Sequence, residues 1–551
     1  MSSRHPLTDL PTHQVTNQPP PLGDYQAFST DRVLCEAVSR EGAPWVSEYL
    51  RALGALTGSE QLMEQGFLAN RQPPELVTFD PYGRRIDEVR YHPAYHELMG
   101  LAIRHGVHSI AWDRQGEGGH VAHAAALYLL TQPEQGVCCP ITMTHAAVPA
   151  LRLESAVAQD WEPRIRVREY DPRCLPSSEK AGVTFGMAMT EKQGGSDVRA
   201  NTTRAQTLRG DQYTLTGHKW FCSAPMSDAF LSLAQTPAGL TCFLVPRWRP
   251  DGRRNPFFIQ RLKDKLGNRS NASAEIEYSD TWARRVGEEG RGVRTIIEMV
   301  QQTRLDAATA PVGMMRQAFV QALHHVRHRS AFGKPLIHQP LMRNLLADLA
   351  LELEAGVALL LRIARTFDRG AQDPHERLLG RVGTALAKYW TNKRAPEFIY
   401  EAMECLGGNG YVEESILPRL YREAPVNSIW EGSGNVICLD VLRAIERDPQ
   451  IVPAFLTEVD SARGGHRRLD AAIERFKQEL GYREAAELRA RRIAELMALT
   501  LQASLLVRHA PAAVADAFCE SRLGGTGGML YGTLAAGVGV DAILERAWSA
   551  E

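Results

Sequence analysis

The chain has 551 residues, of which 44% are hydrophobic and 23% charged, and its formal net charge is −1. That length excludes a single core and implies three or four domains, while the charge balance excludes a global field that would draw in nucleic acid. Nine scattered cysteines, with no CxxC pair, exclude a small disulfide-stapled module and favour a reducing compartment.

The first segment, Met1 to Asp24, is polar and proline-rich and lacks an apolar signal core. From Thr30 to about Ala181 apolar residues recur at helical spacing between proline interruptions. Ala122 to Leu130 and His145 to Leu153 read as buried helices rich in small residues. Between Gly182 and about Ser279 the texture changes. Gln212 to Thr216, Ala229 to Ala234 and Leu240 to Val245 are β-rich runs separated by Gly, Pro and Asp turns, which predicts a compact β domain. Long helical segments return at Gly292 to Gln301, Leu305 to His328, Pro340 to Phe367 and Glu376 to Met403, lengths that imply a bundle. The most apolar of these stretches, Leu345 to Ile363, is broken by Asp348, Glu352 and Glu354 and does not read as a membrane span. A cytoplasmic location is expected. A further helical block follows from Pro449 to Glu551. No internal repeat is present.

Two strings carry the chemistry. Met189-Thr190-Glu191-Lys192-Gln193-Gly194-Gly195-Ser196-Asp197 presents two hydroxyls around a glycine turn, and Ile429-Trp430-Glu431-Gly432-Ser433-Gly434-Asn435 puts one carboxylate on a glycine-flanked loop. Hydroxyls and bare backbone N–H groups suit a polar heteroaromatic ring and a diphosphate, because glycine lets the backbone approach closely. A lone carboxylate beside such a ring suits proton abstraction. Together they point to a flavoenzyme in which Glu431 takes a proton while the cofactor takes a hydride. His324, His325 and His328 have no acidic or cysteine partner at ligand spacing, so no metal site is expected; neither a Gly-x-Ser-x-Gly elbow nor a Walker loop occurs.

Helices, then a β domain, then a bundle, with these strings in place, resemble the acyl-CoA dehydrogenase family. The resemblance is closer still to its alkylation-response branch, carried by the first string, by Lys263 to Ser273, by Arg419 to Asn435 and by Pro140 to Thr144. It implies an α+β chain: an N-terminal helical domain (1–181), a flavin-binding, barrel-like β domain (182–290), a four-helix bundle (291–447) and an extra C-terminal helical domain (448–551). It implies FAD. Met189, Thr190, Gly195 and Ser196 would touch the ring edge and diphosphate. Gly217 to Ser223 resembles the family's Gly-x-Lys-x-Trp-Ile-Thr segment, so Phe221 would pack on the ring, Cys222 would adjoin it and Ser223 would donate to flavin N5. Arg329, Phe332 and Gln339, with the Gly407-Gly408 turn, would reach the adenine-diphosphate half across a subunit boundary, which implies a homotetramer built as a dimer of dimers. Ile429, Trp430, Gly432, Ser433 and Asn435 would complete the cofactor contacts around Glu431.

Glu431 matches the family's catalytic glutamate and would remove the α-proton of an acyl thioester, its pKa raised by desolvation. Other members place the base on the facing helix, where this chain has Thr303; Arg304 would buttress Glu431. Asp306, near the acyl wall, would disfavour a long apolar chain, or it is a solvated or ion-paired helix residue. Separately, a short or branched acyl-CoA is the expected substrate. The C-terminal block carries Arg467, Arg468, Arg475, Lys477, Arg491, Arg492 and Arg522, along with Arg483, balanced by nearby acids. By composition it is a solvated helix pair. The resemblance implies instead that it binds double-stranded DNA by phosphate contacts, with small alkylating compounds as further candidate substrates.

Overall fold

The computed structural model describes residues 6–482 and 484–547; Arg483 lies outside them. Alanine, leucine and histidine fill the helix Gly119–Leu130, every residue of which is buried. It packs with Cys138–Leu151 against the 37-residue helix Gly292–His328. The sequence pattern predicts helix from Thr30 to about Ala181, but the N-terminal region is not helical throughout. Glu75–Phe79 pairs antiparallel with Arg85–Arg90, and the turn between them is closed by the Asp80 carboxylate, which accepts from the backbone N–H groups of Tyr82 and Arg84. A two-residue pairing, Asp9–Leu10 with His13–Gln14, precedes it.

The β domain is a seven-stranded sheet. Phe257–Leu262, Ser273–Val286, Gln212–Ser223, Arg204–Arg209, Ala229–Thr236 and Phe185–Ala188 follow one another, and Gly239–Pro246 pairs with both Ser273–Val286 and Ala229–Thr236. All pairings are antiparallel except those Ala229–Thr236 makes with Phe185–Ala188 and Arg204–Arg209. The register sets Ser223 opposite Ser273. The bundle is formed by Gly292–His328, Pro340–Arg369, Pro374–Glu404 and Gly434–Arg447; the first is one continuous helix where the sequence pattern shows two segments.

The C-terminal block shares the bundle's core: Phe455, Leu469, Phe476, Ile493 and Leu501 belong to one apolar cluster with Leu346, Leu353 and Leu360. The acids that break the apolar run Leu345 to Ile363 are the receptors for this docking. Asp348 and Glu352 take Arg522, and Glu354 takes Arg546. Arg362 is clamped between Glu376 and Glu458 at 2.7 and 2.8 Å, nearly out of solvent. Among the described residues no helix is long and apolar enough to cross a membrane.

Candidate active site

The loop after the helix Leu417–Asn427 carries Glu431 in a left-handed backbone conformation (φ +57°), followed by Gly432 at φ +104°. A non-glycine residue held there is strained, and the surroundings enforce it. Arg304 donates from Nε to the Glu431 carbonyl at 3.2 Å and from Nη1 to Asp440 at 2.9 Å, and Asp440 is gripped from the other side by the Arg381 fork. Lys388, buried in Pro374–Glu404, donates to the Gly432 carbonyl. The Thr303 hydroxyl donates to the Glu431 carboxylate. Burial raises the Glu431 pKa above the usual carboxylate value, opposed by the Thr303 hydrogen bond and by the Arg304 and Lys388 charges. Burial lowers Lys388 to about 7, with Glu431 pulling the other way. Thr303, whose hydroxyl cannot serve as a base, is thus the carboxylate's donor, and Lys388 is a loop anchor that no motif marked.

The sheet supplies the second half of the candidate site. Alternation along Gln212–Ser223 buries Cys222 completely and leaves Phe221 49% exposed, so Phe221 and Ser223 share the open face. Cys222 is therefore a correction: its side chain belongs to the β core, and only its backbone is left for a cofactor. Ser223 Oγ lies 3.0 Å from Ser273 Oγ, and Lys265 donates to Ser273 Oγ at 3.0 Å and to the Asn271 carbonyl at 2.6 Å. Burial lowers Lys265 to about 8. Cys139, on Cys138–Leu151, is pushed up to about 12 by burial, with the Lys265 ammonium lowering and the Glu431 carboxylate raising it; the thiol thus sits where both sides of the site converge.

The glycine turn is built around Glu191. Its carboxylate accepts from Lys219 Nζ at 2.8 Å and from the backbone N–H groups of Thr202 and Thr203. Burial opposes ionisation, but Lys219 holds the acid well below the carboxylate range. A Cβ at Gly195 would lie 2.4 Å from Thr190 Oγ1, so only glycine lets the turn close on that hydroxyl. Trp220 N–H donates to the Thr190 carbonyl, and Asn201 to that of Met189. Ser196 and Ile429 remain exposed, Trp430 donates to Asn427 Oδ1, and Ser433 precedes the first turn of Gly434–Arg447. A half-exposed aromatic beside a hydroxyl, a closed glycine turn and the buried, unpartnered Asn271 Oδ1 fit the edge and face of a flavin.

Behind Thr303 lies a cluster the sequence did not reveal. Asp306 is buried and accepts from Thr142 Oγ1 at 2.8 Å, with His123 Nε2 at 2.9 Å. His123 Nδ1 donates to the Val107 carbonyl at 2.7 Å. Burial favours neutral imidazole, but Asp306 outweighs it and raises the His123 pKa. His145 stacks on His123 at 3.7 Å and is driven well below its ordinary pKa by burial and that charge. Asp306 therefore enters the wall as half of a closed ion pair and does not present a bare charge to an acyl chain.

The adenine-side candidates stand apart. Among the described residues, none of Arg329, Phe332, Gln339, Gly407 or Gly408 hydrogen-bonds to the Glu431 loop. Arg329 and two neighbours of these candidates meet the N-terminal arm instead: the Asn17 side chain pairs with both backbone groups of Ser330, Arg329 Nη1 donates to the Asn17 carbonyl, and Asn409 reaches Gln18 at 3.5 Å. Gln339 donates to the Ala331 carbonyl. Phe332 is 98% exposed at φ +52°.

The C-terminal cations are only partly free. Arg467 and Arg468 share Glu520, Lys477 pairs with Glu474, and Arg492 pairs with Glu479. Arg475 and Arg491 meet neutral partners, the Leu523 carbonyl and Asn435 Oδ1. Arg522 is corrected outright: its guanidinium sits on Asp348 and Glu352 with 14% side-chain exposure, a docking link unavailable to phosphate.

Comparison with known proteins gives the family. Residues 17–172 match the adaptive response protein AidB N-terminal domain, 186–281 the acyl-CoA dehydrogenase middle domain and 290–446 the acyl-CoA dehydrogenase C-terminal domain. The chain belongs to the acyl-CoA dehydrogenase family and is an FAD-dependent oxidoreductase acting on CH–CH groups. Its similar relatives include the Escherichia coli (strain K12) protein AidB, 48% identical over 94% of this chain and 96% of that one. Acyl-CoA dehydrogenase family member 11 of Caenorhabditis elegans is 32% identical over 78% of this chain and 73% of its own. The crystal structure of Caenorhabditis elegans ACDH-11 in complex with C11-CoA superposes with a TM-score of 0.86, covering 95% of both chains at 28% identity.

Proposed function

We propose that this oxidoreductase acts slowly on a short or branched acyl-CoA and also binds double-stranded DNA through its C-terminal block, within a cytoplasmic response to DNA alkylation that includes destruction of small alkylating compounds. The observation that carries the chemistry is Glu431. It is a carboxylate of raised pKa on a backbone that Arg304 and Lys388 fix in a left-handed turn. FAD, when bound, supplies the hydride acceptor. Glu431 takes the substrate's α-proton, and Thr303 holds the carboxylate in place by donating to it. That donation also makes Glu431 a weaker base, which supports slow turnover.

Cofactor contacts are assigned to Thr190, Gly195, Ser196, Phe221 and Ser223 on one side, with Arg329, Phe332 and the Gly407–Gly408 turn serving a neighbouring subunit. The separation of the two sets and the exposure of Phe332 and Leu341 support a homotetramer. Arg467, Arg475, Lys477, Arg491 and Arg492 are exposed and form the proposed phosphate-contacting set. A second reading, a metabolic short- or branched-chain dehydrogenase with no DNA role, is favoured by one observation: four of the seven described cations among those named from the sequence, besides the docked Arg522, already pair with carboxylates.

Duplex binding measured from low to high salt separates the two readings. The proposal expects affinity to fall linearly on a log–log plot; binding that is absent at low salt, or insensitive to salt, leaves the metabolic reading. The base is tested independently by α-deuterium exchange into isobutyryl-CoA, which Glu431→Gln is expected to stop.

A further inference from the structure

A cavity of about 320 Å³ opens where the helix Pro93–Arg104 and the strand Arg85–Arg90 meet the loop that follows Ser223. None of Glu431, Thr303 or Ser223 lines it, and nothing in the dehydrogenase reading uses it. Its walls are aromatic and thioether. Tyr91 and Tyr95 stack with ring centroids 4.1 Å apart, His96 Nδ1 meets the Tyr170 hydroxyl at 3.0 Å, and Met99 and Met226 fill the remainder. Such walls, in a space of this size, suit a flat aromatic body of one or two rings.

Two polar features, Ser227 and Arg90, orient that body. Ser227 lines the cavity, is 3% exposed, and its hydroxyl has no partner; a buried hydroxyl left unpaired favours a ligand that completes it. The charged pair in the wall is closed: Lys180 donates to Asp228 at 2.7 Å, and Asp228 also accepts from the Thr184 backbone N–H, so neither draws an ion inward. At the rim Asp171 is held by Arg173. Arg90 is different. It lines the cavity, is exposed, and its guanidinium has no partner among the described residues.

We propose that this cavity is a second small-molecule site that binds an aryl carboxylate, ring inward between Tyr91, Tyr95 and the methionines, carboxylate outward on Arg90, with a ring hydroxyl or carbonyl reaching Ser227. A guanidinium fork matches a carboxylate in geometry and charge. Pro140 and Ala224, which line the cavity, directly follow Cys139 and Ser223 in the chain, so occupancy lies one residue from the dehydrogenase site.

The test uses full-length, FAD-loaded protein and equilibrium dialysis with 6-hydroxy-2-naphthoate, 2-naphthoate and 2-naphthol. The expected result is saturable binding of one 6-hydroxy-2-naphthoate per chain. Arg90→Gln should weaken both naphthoates about tenfold or more while leaving 2-naphthol unchanged. Ser227→Ala should remove the advantage of the hydroxylated naphthoate over the plain one, and Met99→Trp, which fills the cavity, should abolish binding of all three. The proposal is overturned if the naphthoates do not saturate, if Arg90→Gln weakens naphthol and naphthoate alike, or if a Met99→Trp protein that keeps its FAD binds as before. Arg90 is exposed, so its variant keeps the test valid even where Met99→Trp does not fold.

Discussion

Replacing Thr303 by valine removes one hydroxyl with little change of shape and isolates its effect on Glu431. In the structure that hydroxyl donates to the carboxylate and also lies 3.2 Å from the Val300 carbonyl. A hydrogen bond to a charged group contributes about 1.5–3 kcal/mol, and 1.36 kcal/mol corresponds to one pH unit of titration. Loss of the donor destabilises the ionised form, so the Glu431 pKa rises further above its ordinary value. The acid limb of the pH–rate profile should therefore move up by about one to two pH units. Rates below the limb fall, whereas rates at high pH are retained or increased because a stronger base remains. The assay is stopped-flow flavin reduction by isobutyryl-CoA under anaerobic conditions between pH 5 and 9. A limb that stays in place, or a uniform loss of rate at every pH, refutes the assignment of Thr303 as the carboxylate's donor.

Glu458 is held down to about 2 by Arg362 and Arg508, against the opposing effect of burial. Its folded pKa lies below the unfolded one, so its contribution is present above about pH 4.5 and is lost as pH falls towards 2; it amounts to about 3 kcal/mol. The difference in urea midpoint between wild type and Glu458→Gln should accordingly shrink across that window. Gly195→Ala places a methyl 2.4 Å from Thr190 Oγ1 and should lower FAD retention on gel filtration while leaving the helical circular dichroism unchanged. Arg475→Gln and Arg491→Gln should each reduce the salt slope of duplex binding by about one. Arg522→Gln, by contrast, strips a buried link and should lower the thermal midpoint.

Segment boundaries were legible where periodicity was long. Pro340–Arg369 and Pro374–Glu404 extend within three residues of the apolar pattern, because a buried helix face must repeat for many turns. The Glu75–Arg90 hairpin escaped because its strands are short and half-exposed, too brief for alternation to outweigh the helical pattern around it, although Asp80 to Gly83 carries turn residues. Glu431 was legible because it stands directly ahead of the Gly432-Ser433-Gly434 turn and a proton acceptor must be one of a few residue types. Lys388 and the Asp306–His123 pair were not. Each is a single polar residue inside an apolar helix, and only the fold brings its partner, 44 residues away for Lys388 and 183 for His123, to its side. Arg522 misled for the same reason: a run of arginines does not reveal which member faces inward to Asp348.

The central claim is that Glu431 is the acid that works against the bound flavin. Anaerobic titration of purified, FAD-loaded protein with a short branched acyl-CoA, followed at the yellow absorbance band, measures it most directly. The account predicts slow bleaching in the wild type and none in Glu431→Gln of equal FAD content. A colourless protein that refuses FAD, or a Glu431→Gln variant that bleaches at the wild-type rate, would contradict it.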